Sequence, residues 1–224
     1  MLADTEHAKD ATQDILIKII THLSSFRFDS KFDTWVYRIA ANHLISAKKI
    51  LSIDPNLSFD FFKADLEQGL QPPTALESST DYQVLLNELR VSCTMAMLLC
   101  LKPAHRMAYI LGDILEMEHE PASSALMITK ANFRKQLSRA RQKVVEFTHA
   151  SCGLVNQKAK CRCEKKLTSS IGHGCVNTDV IHFGAKSKQN YLEVKTALRK
   201  TQRDLKTLTL QTSIDHYKSP EELS

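Results

Sequence analysis

Glycine is scarce in this chain, with six in 224 residues, and apolar–polar alternation over β-branched residues is rare. Both shortages argue against strands and tight hairpins, and so for helices. No apolar run nears membrane-spanning length: the longest, "CTMAMLLCL", has nine residues, whereas a spanning helix needs about 20. No basic-then-apolar signal opens the chain, so cytoplasm is the default compartment, with no membrane partner. There the six cysteines read as thiols or metal ligands rather than disulfides. A glycine-rich phosphate loop, an HExxH helix and an arranged Ser-His-Asp set are also lacking. The chain is therefore not read as an enzyme.

What is present is helical periodicity and unevenly placed basic charge. The formal charge is +5, with a sequence pI near 8.8. The stretch "ITKANFRKQLSRARQKVVEF", from Ile128 to Phe147, holds six basic side chains and one acidic one. On a helix, Phe133, Leu137, Ala140, Val144 and Phe147 form one apolar stripe, while Arg134, Lys135, Ser138, Arg139 and Gln142 lie opposite. Thr129 is placed as N-cap. The preceding "EPASSALM" reads as a short helix opened by Pro121, followed by a tight turn. Short helix, turn and basic helix make a helix-turn-helix, whose second helix enters a major groove. On that reading Lys130, Ala131, Arg134 and Lys135 approach bases, while Arg139, Arg141 and Lys143 hold phosphates. The competing reading is a solvated basic face on an ordinary bundle helix.

A second constellation lies in "FRFDSKFDTWVYRIAANHLISAKK". Ser30 and Asp33 resemble a capping box opening a helix to about Lys49. Its core face carries Phe32, Val36, Ile39, Ala40 and His43. A separate stripe of Trp35, Arg38, Asn42 and Lys49 suits unpaired nucleotides, through ring stacking, amide hydrogen bonds and cation–phosphate contacts. The alternative has Trp35 packing on the preceding helix, which runs from about Thr5 to Leu23. That helix is read with Ala8, Thr12, Ile15, Leu16, Ile19 and Leu23 inward and Asp10, Asp14, Ile17, Lys18 and Thr21 outward.

Between Leu51 and Thr80 three prolines and an excess of acids over Lys63 read as an acidic linker. Two further helices follow, "YQVLLNELRVSCTMAMLLCL" and "PAHRMAYILGDIL", with Cys93 and Cys100 as core thiols. Beyond Phe147, Cys152, Cys161 and Cys163 lie close in sequence, with His149 and His173 nearby. Such ligands would satisfy tetrahedral zinc, although the spacing is not a paired CxxC knuckle and free thiols need no metal. A helix-like stretch runs from about Asn190 to Leu210. The final "SPEELS" has the features of a helix start, which suggests a continuation.

Together these segments resemble the extracytoplasmic-function, or group IV, sigma factors of bacterial RNA polymerase. "DATQDILIKIITHLSSFRFDSKFDTWVYRIAANHLI" is similar to their promoter-melting domain and "FRKQLSRAR" to their second DNA-binding domain. The likeness covers roughly Asp4 to Phe147, and "CGLV" followed by "CRC" is similar to a tail in one subset of that family. The resemblance implies an all-α fold: a region-2-like domain at 1-50, an acidic linker at 51-80, a region-4-like helix-turn-helix domain at 81-150, and a partly helical, cysteine-containing extension at 151-224. It implies RNA polymerase core and promoter DNA as partners, an anti-sigma factor as a further one, and no required cofactor. Gln13, Asp14 and Ile17 would meet the polymerase. Trp35, Arg38, Asn42, His43 and Lys49 would lie at the minus-ten element. Thr129, Lys130, Ala131, Arg134, Lys135, Ser138 and Arg139 would read the minus-thirty-five element. The acidic linker would thread the RNA channel of the polymerase. Family members normally carry another helix before the position of Asp4. Its absence here implies either an upstream start or a shortened first domain. Two other functions fit parts of the sequence: a stand-alone helix-turn-helix regulator, and a metal or thiol sensor acting through the cysteine tail.

Overall fold

The computed structural model describes residues 5–50, 57–72, 81–179, 181 and 191–200, without the side chains of 5, 47–50, 199 and 200. The end of the last expected helix and the closing "SPEELS" lie outside the described residues. Nine α-helices are described: α1 Thr5–Thr21, α2 Phe32–Ile50, α3 Phe59–Glu67, α4 Tyr82–Leu99, α5 Pro103–Tyr109, α6 His119–Ala125, α7 Lys130–Ser151, α8 Cys163–Gly172 and α9 Tyr191–Lys200. A π turn, Ile110–Ile114, continues α5. The one pairing of extended backbone among the described residues is an isolated bridge between Cys152 and Cys161. No described helix is long and apolar enough to cross a membrane.

The chain divides into two compact units, Met1–Leu57 with Leu101–Arg141, and Ser58–Cys100 with Gln142–Ser224. In the first, α1 packs on α2, and α2 on α6. Ala11 and Ala41 are buried, and Ala8, Ile15 and Ile19 are half-buried. Thr12, Leu16 and Leu23, expected inward, are exposed, and Phe32 is 45% exposed. Apolar residues stand on both sides of α1, so helical period alone could not fix which side faces α2. The Ser30 hydroxyl donates to the Lys31 carbonyl, not in the cap geometry expected of it.

Further along the first unit, the π turn sits against α7. A Cβ on Gly112 would come within 2.8 Å of a Leu137 methyl, so any larger residue would force the buried Leu137 side chain to shift. Phe133, Leu137 and Ala140 are almost fully buried. The Thr129 hydroxyl caps α7 by accepting from the Asn132 amide at 3.2 Å. Met127, in the turn before it, has a φ of 53°, which a side chain bearing a Cβ adopts at a cost.

In the second unit, Leu85, Leu86 and Leu89 of α4 pack with Leu167 of α8, Val176 and Tyr191 of α9. This apolar contact is why α4 groups with the C-terminal extension. The segment read as an acidic linker contains α3, capped by Ser58 accepting from the Phe61 amide. Phe62 and Leu66 of α3 are buried, and the Phe62 ring stacks on Phe147 at 5.4 Å. Two of its acids are taken up by lysines of the same unit: Glu67 pairs with Lys160 at 2.8 Å, and Asp65 lies 3.5 Å from buried Lys166. Described residues 57–72 thus fold as part of this unit rather than as an extended tether.

Candidate functional site

The first half of α7 separates its faces cleanly. Over the buried Phe133–Leu137–Ala140 seam, Lys130, Ala131, Arg134, Lys135, Ser138 and Arg139 are all exposed. Thr129 is exposed at the cap. Two of these side chains are steered by α6: Lys130 pairs with Glu120 at 3.0 Å, and the Arg134 Nε donates to the His119 Nδ1 at 3.2 Å. Both are rim contacts worth little and easily exchanged for a phosphate. Arg141, read as a phosphate contact, has a different task. Its guanidinium donates to both carboxylate oxygens of Asp113 at 2.5 to 2.9 Å. The hydrogen bond with Asp113 raises its pKa above the ordinary arginine value, against the effect of burial. It ties the π turn to α7.

The second candidate surface centres on an aromatic group before and within α2. Trp35, half-buried, lies 5.7 Å from the Phe32 ring in a stacked arrangement and 5.5 Å from Phe26. Phe26 in turn meets Phe28 at 4.7 Å. Phe28 is 85% exposed with a φ of 62°. A bulky aromatic held in the left-handed region and displayed to solvent is uncommon, and such strain gathers at functional positions. Sequence reasoning passed over Phe26 and Phe28, although "FRF" before a helix start was visible.

The other minus-ten candidates do not share one free face. Arg38 donates from Nη2 to the Ser124 Oγ of α6 at 3.0 Å, and its buried Nε has no partner. His43 is turned toward α1, where its Nδ1 accepts from the Lys18 ammonium at 2.7 Å and its Nε2 lies 3.7 Å from an Asp14 oxygen. Asn42 is exposed, and the Lys49 side chain lies outside the described residues. On α1, Gln13 and Asp14 are exposed, and Ile17 joins Leu16, Ile20 and Leu23 as apolar side chains more than half exposed.

The cysteines form a third grouping, within the second unit. Cys152, at the end of α7, bridges Cys161, and the Gly153 amide donates to the Cys161 carbonyl at 3.1 Å. A Cβ on Gly153 would lie 2.3 Å from that oxygen, so the glycine of "CGLV" is required. Arg162 gathers the loop by donating to the carbonyls of Gln157, Ala159 and Cys161. Cys93, Cys152, Cys161 and Cys163 together line a cavity of about 50 Å³. Burial, chiefly, pushes all four thiols up, Cys161 to about 12. Among the described residues no three His, Cys, Asp or Glu side chains are already gathered as a coordination shell. Cys93 reads in sequence as a core thiol; nothing in its local sequence tells that α4 turns it toward the tail.

Among the described residues, a basic helix-turn-helix face and a second, aromatic surface are features that nucleic-acid-binding proteins present. Comparison with known proteins is in line with this. Residues 1–49 match the family model for sigma-70 region 2. The chain is 28% identical over 142 residues to the RNA polymerase sigma factor YlaC of Bacillus subtilis, covering 61% of this chain and 74% of that one. It is 25% identical over 144 residues to the ECF sigma factor SigM of the same organism, covering 64% and 81%. To the ECF sigma-E factor of Escherichia coli it is 29% identical over 140 residues, covering 60% and 70%. Over some 60% of its length the chain is thus similar to RNA polymerase sigma factors, those of the ECF class among them.

Proposed function

We propose that this chain directs bacterial RNA polymerase core to a set of promoters and starts transcription there. The minus-thirty-five element would be read by the N-terminal half of α7. Lys130, Ala131, Arg134 and Lys135 would stand at base edges, and Arg139 with the Thr129 and Ser138 hydroxyls at phosphates. The separated strand of the minus-ten element would stack on Trp35 and the solvent-facing Phe28, with Asn42 bonding a base edge. Arg38 would join them only on leaving Ser124. Gln13, Asp14 and Ile17 on α1 would meet the polymerase, beside the exposed apolar side chains there. A protein antagonist of the anti-sigma kind would have to cover one of these same surfaces.

The observation that carries this reading is the exposed basic face of α7 over a sealed apolar seam, in a chain whose first 49 residues match sigma-70 region 2. It is tested by mixing the tagged full chain with purified core polymerase and measuring co-elution. A stoichiometric complex is expected. Tight, specific binding to duplex DNA by a dimer with no affinity for core polymerase would instead indicate a stand-alone regulator.

A further inference from the structure

Arg134 and Arg141 lie two turns apart on one face of α7, and the residues before that helix hold them in opposite ways. Arg141 gives its guanidinium to a carboxylate, donating to both oxygens of Asp113. Arg134 gives its Nε alone, to the His119 Nδ1 at 3.2 Å. Because Nδ1 accepts there, the ring proton sits on Nε2 and the imidazole carries no charge.

The difference has an electrostatic consequence. A carboxylate partner cancels the positive charge that draws a side chain toward DNA, whereas an uncharged imidazole restrains it and leaves the charge whole. It also has a geometric one. A guanidinium offers paired N–H donors either from Nε with one Nη or from both Nη atoms. With Nε on His119 the end-on pair remains, and no described residue takes it. Two parallel donors are what the O6 and N7 of guanine accept in a major groove.

His119 is itself fixed in place. Its ring lies 5.7 Å from that of Phe133, the residue just before Arg134, and Phe133 is fully buried. Ala122 and Ala125 of α6 are also fully buried, so the helix that carries the imidazole stays on α7 unless the core opens. The neighbouring Glu120 makes a second contact of this kind, with Lys130 at 3.0 Å. The first turn of α6 thus touches two of the α7 side chains assigned to base edges. Such contacts add little to stability. Restricting a long side chain before binding still removes part of the ordering cost that recognition would otherwise meet.

We infer that His119 is a positioning residue for base recognition, aiming Arg134 end-on at a guanine of the promoter. The inference rests on the reading of α7 as the minus-thirty-five helix, and adds to it a residue that acts through Arg134.

The experiment mixes the full chain with core polymerase and a pool of duplex promoters randomised over the minus-thirty-five element, then sequences the bound fraction. Wild-type protein should enrich guanine at one position, and Arg134→Ala should reduce that preference by about tenfold or more while the others persist. His119→Ala should weaken the same preference by about three- to tenfold, the worth of one net hydrogen bond. His119→Asn should restore it, because the Asn Oδ1 takes the place of the imidazole Nδ1 as acceptor. In an Arg134→Ala background, His119→Ala should have no further effect. A packing role alone would lower enrichment at every position and would not be rescued by asparagine. An unchanged preference in His119→Ala where Arg134→Ala loses it, or equal losses in His119→Ala and His119→Asn, would overturn the inference and leave the reading of α7 standing. A wild-type pool without a guanine preference that Arg134→Ala removes would overturn both. Nitrogen NMR of His119 in the unsubstituted chain needs no variant to fold: an Nε2–H ring is expected, and a proton on Nδ1 would refute the positioning role.

Discussion

Arg139 and Arg141 are two residues apart on α7 and both are exposed at the tip, yet the structure gives them opposite tasks. Arg141 closes on Asp113, whose side chain is only 5% exposed, while its own is 53% exposed. Removing one partner of a fully buried pair costs about 3–5 kcal/mol, and an exposed pair is worth up to about 1 kcal/mol. With one partner buried and one half in water, Arg141→Ala should cost about 2 kcal/mol. Arg139→Ala breaks no such pair and should change stability by less than about 0.5 kcal/mol. Trp35 is the sole tryptophan and lies in the same unit, so its fluorescence during urea unfolding reads the relevant transition. Binding to random-sequence duplex at a series of salt concentrations supplies the second axis. Arg139→Ala should reduce the salt slope by about 1, as loss of one phosphate contact does. Equal stability of the two variants, or loss of salt slope in Arg141→Ala rather than Arg139→Ala, would refute this division.

Gly112→Ala drives a Cβ toward the buried Leu137 side chain and should destabilise the same unit by about 1–3 kcal/mol, read by the urea midpoint of the Trp35 transition. Met127→Gly should stabilise it by about 1 kcal/mol, because glycine adopts the positive φ of that turn freely; an unchanged or lowered midpoint would contradict this. Burial is the largest single influence on the Glu164 carboxyl and would raise its pKa, but the hydrogen bond and charge of Lys195, with hydrogen bonds from its own backbone and Tyr191, together hold it below its ordinary value. A depressed carboxylate stabilises above its unfolded pKa, near 4.3, and loses that contribution as pH falls through the folded value. Protection of α9 amides from hydrogen exchange should therefore weaken below that range, and Lys195→Met should reduce that pH dependence.

Much of α7 was legible because cap, apolar seam and basic face are all local to one helix: Thr129, Phe133, Leu137 and Arg139 stand where periodicity put them. The inward face of α1 was not, since Ile15 and Ile19 compete with Leu16 and Ile20 for the same role and only the position of α2 decides. Arg141 reads as one more surface cation until Asp113, 28 residues earlier, is seen beside it. In the same way the acids of 59–67 suggested an open tether. The lysines that take them up, Lys160 and Lys166, lie about a hundred residues away in sequence. Cys93 belongs with the tail thiols only through the packing of α4 on α8. Contacts of that separation leave no trace in local pattern.

The central claim is tested most directly by run-off transcription from a library of bacterial promoters with core polymerase, comparing the wild-type chain with Lys135→Ala, Arg139→Ala. Transcripts starting at a defined subset of promoters, dependent on added protein and strongly reduced in the double variant, are the expected result. Core polymerase that starts no more specifically with the protein than without it would contradict the account.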